Sequence, residues 1–342
     1  MEDKIILKKS EKEVEKLEKN AENKFIINKN GSIRDGFGKG LLECAKNNEN
    51  VVVLCADLTD SLKLGEFKKN FSNRFYEMGI AEQNMMGAAA GMCLNNKIPF
   101  VVSYAVFNPG RNWDQLRVSV CYSNHNVKII GGHAGLTTGP DGATHQALED
   151  IAITRVLPNL TVIVPCDELE AKKAVVEMIK HKGPVYLRLT REKSEILTED
   201  STPFKIGKIN KLKEGKDITI FTNGLCLQYV VKAYEELKKL NISVSIINVH
   251  TIKPLDKDNI LSELRKTNLA LIVEEHQKIG GLGSAICELS CENYPVLMEI
   301  IGVDDKFGES GDGYELLEKH GINVQNIVNK CVELIKRKNS NM

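Results

Sequence analysis

The chain has 342 residues, with 46 basic and 46 acidic side chains and no formal net charge at pH 7. This length is typical of about two domains, and the 42% of hydrophobic residues favours a folded protein over a disordered one. The charge balance argues against a basic nucleic-acid binder, and no apolar run approaches the ~18 residues of a membrane-spanning helix. Nine cysteines without a CxxC spacing, and an N-terminus unlike a secretory signal, predict a cytoplasmic protein with reduced thiols.

Residues 1–30 differ from the rest of the chain in charge, because half of them are Asp, Glu, Lys or Arg. The few apolar residues, including Val14, Leu17 and Ala21, are spaced by three and four, as on one face of a helix. We expect a solvated helix that docks weakly or frays and takes no part in chemistry. The segment is therefore predicted to be a charged N-terminal extension.

From residue 31 onwards, short apolar runs rich in β-branched residues alternate with helical stretches, the pattern of a parallel sheet covered on both faces. The predicted strands cover residues 51–56, 99–103, 127–132, 160–165 and 185–189. The predicted helices cover residues 33–46, 81–95, 109–122, 147–155 and 167–181. These elements predict one doubly wound α/β domain over residues 31–193.

A polar stretch rich in turn residues, 194–216, is predicted to be a linker to a second domain. Apolar strands return at residues 218–223, 243–249, 269–275 and 295–301. Helices are predicted over residues 225–240, 257–266 and 283–293, with two more between 313 and 336. The predicted fold class is therefore α/β, with two doubly wound domains over 31–193 and 217–336.

The first candidate for chemistry is Glu82, which opens an Ala/Gly-rich helix just after a strand that ends at Met78-Gly79. A carboxylate near a helix N-terminus is favourable in any protein, so a purely structural role is open. Open parallel sheets, however, bind ligands at the carboxyl ends of their strands, which is where Glu82 is expected. This position favours a functional role.

The second candidate is the glycine-rich loop over residues 131–150, which contains His133, Asp141 and His145. Long loops between regular elements are uncommon unless they serve a site. The two histidines are compatible with zinc ligation, but no third or fourth ligand has a metal-site spacing. Structural polarity of the loop also stays open, and substrate binding is the favoured interpretation.

The third candidate is a pair of arginines, Arg188 and Arg191, at the end of the last predicted strand of the first domain. A surface ion pair would account for such a pair, but Arg is also the preferred side chain for binding phosphate through two hydrogen bonds. Arg34 opens the first helix and Ser61 lies in the loop after strand 51–56, so both are expected at the same edge of the sheet.

Six segments together resemble the C-terminal half of transketolases, and in particular the separate C-terminal subunit of split transketolases. They are ADLTDS at 56–61, FYEMGIAEQNM at 75–85, SYAVFNPGRNWDQLR at 103–117, DGATHQALEDIA at 141–152, TIKPLD at 251–256 and VEEHQKIGGLGSA at 273–285. Each motif is weak alone, whereas the combination is highly specific and extends over residues 31–336. The resemblance implies that 31–193 is the pyrimidine-binding domain and 217–336 the transketolase C-terminal domain.

Members of this family use thiamine diphosphate bound between two subunits, and the resemblance implies roles for three residues at this cofactor. Glu82 matches the glutamate that hydrogen-bonds N1′ of the aminopyrimidine ring and so helps to activate C2 of the thiazolium ring. Phe107 matches the aromatic residue that stacks on the aminopyrimidine. Asp57 matches an aspartate near the cofactor at a subunit boundary.

The resemblance also implies a site for sugar phosphates. His145 matches a histidine that contacts the hydroxyls of the donor sugar and helps to move protons, and Asp141 matches an aspartate that binds a sugar hydroxyl. The residues that match the family's phosphate-binding set are Arg34, Ser61, His133 and Arg191. Four donors with two permanent positive charges suit a dianionic phosphate.

The diphosphate-binding domain of the family has no counterpart in this sequence. Its Mg²⁺ motif is GDG followed downstream by Asn-Asn, and the GDG at 311–313 precedes only two predicted helices. The resemblance therefore implies an N-terminal partner subunit that binds the diphosphate and most of the Mg²⁺, with no metal site in this chain. We expect an α2β2 heterotetramer that is active only when assembled.

The leading hypothesis is half of a transketolase that moves a two-carbon ketol unit between sugar phosphates, such as those of the pentose phosphate pathway. AEQNM and the HAG…DG.THQ loop also resemble 1-deoxyxylulose-5-phosphate synthase. Half of that enzyme, or of another thiamine enzyme acting on 2-oxo acids, is the second hypothesis. A non-catalytic scaffold subunit is the third, and Glu82 counts against it.

Overall fold

The computed structural model of the chain describes residues 29–340. The helix predicted around Val14 and Leu17 lies outside the described residues. The described residues form two α/β units, each built on a mostly parallel sheet with apolar clusters on both faces. The predicted fold class is therefore confirmed.

The sheets are built from fourteen strands within residues 29–340. In chain order they are β1 (Asn30–Ser32), β2 (Val51–Cys55), β3 (Phe75–Glu77), β4 (Ile98–Tyr104), β5 (Lys128–Gly132), β6 (Thr161–Ile163), β7 (Val185–Arg188), β8 (Lys193–Glu195), β9 (Asn210–Lys213), β10 (Ile218–Thr222), β11 (Val244–Asn248), β12 (Thr251–Lys253), β13 (Leu269–Gln277) and β14 (Leu297–Val303).

The first sheet has seven strands in the order β12-β6-β7-β5-β4-β2-β3, and the second has five in the order β14-β13-β10-β11-β9. Neighbouring strands are parallel except for β12 beside β6 and β9 beside β11, which are antiparallel edge strands. A separate two-stranded ribbon pairs β1 with β8. The central strands are buried apolar runs because helices cover both faces of each sheet.

The helices alternate with the strands. In chain order they are Ile33–Asn47, Gly65–Asn70, Glu82–Cys93, Trp113–Gln115, Asp150–Arg155, Glu168–Lys180, Leu227–Lys239, Lys257–Thr267, Leu282–Asn293, Gly313–Lys319 and Val324–Ser340. Ser32 and Asp167 cap two of them by accepting hydrogen bonds from the N–H groups of Asp35 and Glu170. These two helices, Ile33–Asn47 and Glu168–Lys180, pack together on one face of the first sheet.

Some elements differ from the sequence prediction. The stretch predicted to be a linker, 194–216, contains β9 and most of β8. The strand β12 follows the second unit's β11 in the chain but joins the sheet of the first. The helix predicted over 109–122 begins only at Trp113 and continues as a π-helix over Leu116–Tyr122. The polar sequence of β9, NKLK, suits an edge strand, where lysines discourage pairing with other chains.

Candidate active site

The carboxyl ends of adjacent strands bring the predicted site residues to one edge of the first sheet. Strands β7, β5, β4 and β2 are neighbours in that order and run parallel. The chain segments that leave their carboxyl ends contain Arg191, His133, Phe107 and Ser61, respectively. Ligand sites of open parallel sheets form at this edge.

Five predicted residues form one cluster, which we call the anion group: Arg34, Ser61, His133, Asp141 and Arg191. Arg34 lies at its centre, because its Nη1 donates to the carbonyl oxygen of Ser61 at 2.7 Å and its Nη2 to that of Arg191 at 2.7 Å. The same Nη1 lies 3.4 Å from Nε2 of His133. Arg191 in turn donates to the carbonyl of Thr138 at 2.5 Å and lies 3.6 Å from the carboxylate of Asp141.

His133 is held in its neutral form. Burial, together with the positive charges of Arg34 and Arg191, lowers the pKa of His133 to about 3. Because a guanidinium can only donate, Nε2 of His133 is the acceptor and the ring proton belongs on Nδ1. Nδ1 of His133 and Nε of Arg34 are both buried and have no hydrogen-bond partner within residues 29–340. The anion group therefore offers two unpaired N–H donors.

Three rings, from Tyr104, Phe107 and His145, form what we call the ring group beside the anion group. Tyr104 stacks on His133 with ring centroids 3.9 Å apart and lies 6.3 Å from Phe107. The ring of His145 stands edge-on to Phe107 at 5.4 Å and to Tyr104 at 6.1 Å. Tyr104 was missed by the sequence analysis, although it ends β4 within a motif that carries the resemblance.

Glu82 is buried at the other end of the ring group. It is the first residue of the helix Glu82–Cys93, and its side chain is only 1% exposed. Oε1 accepts a hydrogen bond from the Ser103 hydroxyl at 3.3 Å, and the amide of Asn112 donates to the Glu82 carbonyl oxygen at 3.2 Å. The carboxylate is thus held from β4, and the backbone of the same residue is held from the segment after Phe107.

Arg111 is a second residue that the sequence analysis missed. Its Nη1 donates to Oε2 of Glu82 at 2.6 Å, and its guanidinium carbon lies 4.3 Å from the centroid of the Phe107 ring. Its side chain is 43% exposed, in contrast to that of Glu82. Contacts therefore run continuously from Glu82 through Arg111 and the ring group to the anion group.

Two other residues that the sequence singled out, Asp57 and Arg188, have hydrogen-bond partners outside the ring group and the anion group. Asp57 is exposed, and its backbone N–H donates to Oε1 of Glu77 at 2.7 Å, a residue outside the ring group and the anion group. Arg188, which the sequence placed near the anion group, is buried and bonds instead to the carboxylate of Asp150 and to the carbonyl oxygen of Glu275.

Residues of the second α/β unit hold the loop over residues 133–146, which we call the substrate loop. Oε1 of Glu275 accepts hydrogen bonds from the N–H of Thr137 at 2.7 Å and from its hydroxyl at 2.9 Å. The amide of Gln146 donates to the carbonyl oxygen of Glu309 at 2.9 Å. Residues far away in sequence therefore set the shape of the loop that contains His133, Asp141 and His145.

Residues 29–340 contain neither a cluster of metal-ligating side chains nor a helix suited to span a membrane. No group of three or more His, Cys, Asp and Glu side chains is arranged to hold a metal ion in this part of the chain. No helix within the same range has the length and apolar character needed to cross a membrane.

Two protein-family models match the chain in succession. One describes the transketolase pyrimidine binding domain and matches residues 29–195. The other describes the transketolase C-terminal domain and matches residues 207–327. Together they cover most of the chain.

Curated relatives and a solved structure match it over nearly their whole length. A putative transketolase C-terminal section of Methanocaldococcus jannaschii is 41% identical over 89% of this chain and 96% of its own. A 6-deoxy-6-sulfo-D-fructose transketolase subunit of Clostridium sp. MSTE9 is 38% identical over 90% of this chain and 95% of its own. A split gene transketolase, solved as an inactive beta4 tetramer, is 40% identical with a TM-score of 0.84, over 90% of this chain and 99% of that one.

Proposed function

This chain belongs to the transketolase family, and we propose that it is the C-terminal subunit of a split transketolase that transfers a two-carbon ketol unit between sugar phosphates. In this proposal the chain binds the pyrimidine end of thiamine diphosphate and the sugar phosphate. An N-terminal subunit supplies the diphosphate site and the Mg²⁺. The assembly is an α2β2 heterotetramer, and neither subunit is active alone.

The observation that carries the proposal is the anion group. Two guanidinium groups and a neutral imidazole converge there from separate segments of the chain, and Nε of Arg34 and Nδ1 of His133 remain unpaired although both atoms are buried. Buried N–H groups without partners are costly, so a ligand that accepts hydrogen bonds is expected. A phosphate oxyanion is such an acceptor, and the charges of Arg34 and Arg191 favour it.

The residues near Glu82 suit an aminopyrimidine ring. A planar group that bears N–H donors, the guanidinium of Arg111, already stacks on Phe107 and donates to Glu82. Glu82 and Phe107 would hold the cofactor ring in the same manner. When bound, thiamine diphosphate supplies the nucleophilic carbon and the electron sink for cleaving the bond next to a ketone. Glu82 would accept and return a proton at a carboxyl oxygen that is itself buried.

His145 is the second group proposed to move protons. Its Nδ1 lies 2.9 Å from the hydroxyl of Thr144, which leaves Nε2 as the nitrogen available to a sugar hydroxyl. Its ring is also edge-on to Phe107, so a substrate bound beside the cofactor ring would lie within its reach. Asp141, beside Arg191, is proposed to bind a sugar hydroxyl, and Asp57 to approach the cofactor at the subunit boundary.

The terminal group of the sugar needs a test of its own, because the relative from Clostridium sp. is named for a sulfonated sugar. A sulfonate and a phosphate are both tetrahedral oxyanions that accept hydrogen bonds from Arg. Two arginines favour the more highly charged phosphate. We therefore propose a sugar phosphate and treat the sulfonated sugar as an outcome of the test.

The test is reconstitution with the N-terminal subunit, thiamine diphosphate and Mg²⁺. Xylulose 5-phosphate and ribose 5-phosphate should give a seven-carbon product, and Glu82→Gln should abolish it while size-exclusion chromatography shows unchanged assembly. Glu66→Gln, on the exposed helix Gly65–Asn70, is the matched control and should keep full activity. No product with these phosphates, but turnover of 6-deoxy-6-sulfo-D-fructose, would reject the phosphate assignment. Unchanged turnover by Glu82→Gln would support a scaffold role.

A further inference from the structure

Arg111 makes two contacts that together resemble those of a bound ring. Its guanidinium lies over Phe107, 4.3 Å from the ring centroid, and its Nη1 donates to Oε2 of Glu82 at 2.6 Å. A guanidinium is planar and delocalised, and it carries N–H groups around its edge. It therefore contacts this chain through the same two residues that are proposed above to stack on the cofactor's aminopyrimidine and to hydrogen-bond it.

The side chain of Arg111 lies at the surface, where it can move away from Glu82 and into solvent. It is 43% exposed, and within residues 29–340 its polar contact is with Glu82 alone. Arg188, an arginine with a structural role, differs from Arg111 in its contacts. It is buried, and it donates to Asp150 and to the carbonyl oxygens of two other residues. Glu82, in contrast, stays anchored without Arg111, because Ser103 and Asn112 bond its side chain and its carbonyl oxygen.

We propose that Arg111 is a displaceable occupant of the cofactor's ring site. In the free subunit its guanidinium fills the space beside Phe107 and balances the buried charge of Glu82. An entering aminopyrimidine ring takes over both contacts, and the guanidinium moves out into solvent. The inference rests on the proposed function, because it takes Glu82 and Phe107 to be the residues that bind this ring.

The proposal predicts that replacing Arg111 lowers the stability of the free subunit but raises its affinity for the cofactor once assembled. Without Arg111, the free subunit contains a buried carboxylate that has lost its one cationic partner within residues 29–340, so it should be less stable. The same change removes a competitor from the ring site, so thiamine diphosphate should bind more tightly to the assembled enzyme. A residue with a purely structural role would weaken both properties, and an irrelevant surface arginine would change neither.

The experiment compares Arg111→Met with Arg117→Met, which removes the same charge from an exposed position in the same segment. Differential scanning calorimetry of the free full-length chain should show a midpoint lower by about 2–4 °C for Arg111→Met, the shift expected for a loss of ~1 kcal/mol. Titration calorimetry of the reconstituted enzyme with thiamine diphosphate and Mg²⁺ should show binding about fivefold tighter, as expected when one ion pair and one cation–π contact no longer compete. Arg117→Met should match the wild type in both measurements.

The variant Arg111→Lys distinguishes the effect of the positive charge from that of the planar guanidinium. Lysine keeps the positive charge near Glu82 but lacks the planar group, so the midpoint of the free chain should stay close to that of the wild type while cofactor affinity rises. If Arg111→Met binds thiamine diphosphate as the wild type does, or more weakly, Arg111 is not a displaceable occupant and the proposed function still stands. If the wild-type complex binds no thiamine diphosphate, the proposed function fails and this inference fails with it.

Discussion

Glu275 is predicted to control the binding of sugar phosphates without touching them. Its Oε1 accepts hydrogen bonds from the N–H and the hydroxyl of Thr137 in the substrate loop. The next residue, Thr138, donates its hydroxyl to the carbonyl oxygen of His133 and accepts from Arg191, each at 2.5 Å. Glu275 is therefore connected to two members of the anion group through a single turn of the loop.

The variant Glu275→Ala would leave both donors of Thr137 buried without a partner. Each unsatisfied buried donor costs about 1–3 kcal/mol, which the loop can avoid only by shifting. If about 1.4 kcal/mol of this cost is expressed as displacement of the anion group, KM for a sugar phosphate rises about tenfold. We expect kcat to fall less than KM rises, because no hydrogen bond of this network within residues 29–340 reaches Glu82, although His145 lies in the same loop.

The matched control is Glu274→Ala. Glu274 is equally buried and accepts two backbone hydrogen bonds, but from Leu282 and Gly283 at the start of the helix Leu282–Asn293. Burial raises the pKa of both glutamates to about 7, so the two differ mainly in what they hold. Both variants should lower the melting temperature.

The assay is initial-rate kinetics of the reconstituted enzyme with a sugar phosphate and with the corresponding unphosphorylated sugar. Only Glu275→Ala should raise KM, and the increase should be larger for the phosphorylated substrate than for the unphosphorylated sugar. Equal increases in KM for Glu274→Ala and Glu275→Ala would show that general destabilisation is responsible, and the reasoning would be refuted.

Three further predictions concern single side chains. Arg34→Met should raise KM for sugar phosphates at least tenfold, because charge-assisted hydrogen bonds contribute about 1.5–3 kcal/mol; an equal rise for unphosphorylated sugars in initial-rate assays would contradict this. His133, whose pKa is lowered to about 3 by burial and by Arg34 and Arg191, should stay neutral from pH 5 to pH 7 in an NMR titration of the free chain, and protonation of its ring near pH 6.5 would contradict the assigned contacts. Lys128 is buried at the start of β5, where burial lowers its pKa to about 7. The unfolded chain therefore binds the extra proton between pH 7 and pH 10.5, so stability rises with pH by up to about 1.4 kcal/mol per unit. The melting temperature of the wild type should accordingly rise relative to that of Lys128→Met from pH 7 to pH 10, and a difference that stays constant would contradict the lowered pKa.

The central strands were predictable from sequence, whereas two of the edge strands, β9 and β12, were not. Strands such as β2 and β10 are buried on both faces, so their residues are uniformly apolar and have one clear interpretation. The edge strand β9 is polar, and β12 has only three residues. Their pairing depends on which sheet they reach, which no local pattern encodes.

The candidate site was likewise only partly predictable from the sequence. The members of the anion group could be named from the resemblance and from strand ends, and the structure brings them together. Arg111 and Tyr104 lie within a matched motif, yet their contacts with Glu82 and His133 depend on side-chain directions that sequence spacing does not give. Arg188 shows the opposite error, since its position at a strand end suggested the site while its side chain points to Asp150.

The contacts between the two sheets' units explain why the substrate loop cannot be understood from the pyrimidine-binding domain alone. Glu275 and the backbone of Glu309 hold the loop from one side, and Arg188 ties β7 to the carbonyl oxygen of Glu275. The strand β12 extends the first sheet with residues that follow β11. Because the bonds made by Glu275 are buried, breaking one of them leaves unpaired polar groups, and the loop has to move to satisfy them. Substitutions in the second unit are therefore expected to alter anion binding without any change to Arg34, His133 or Arg191.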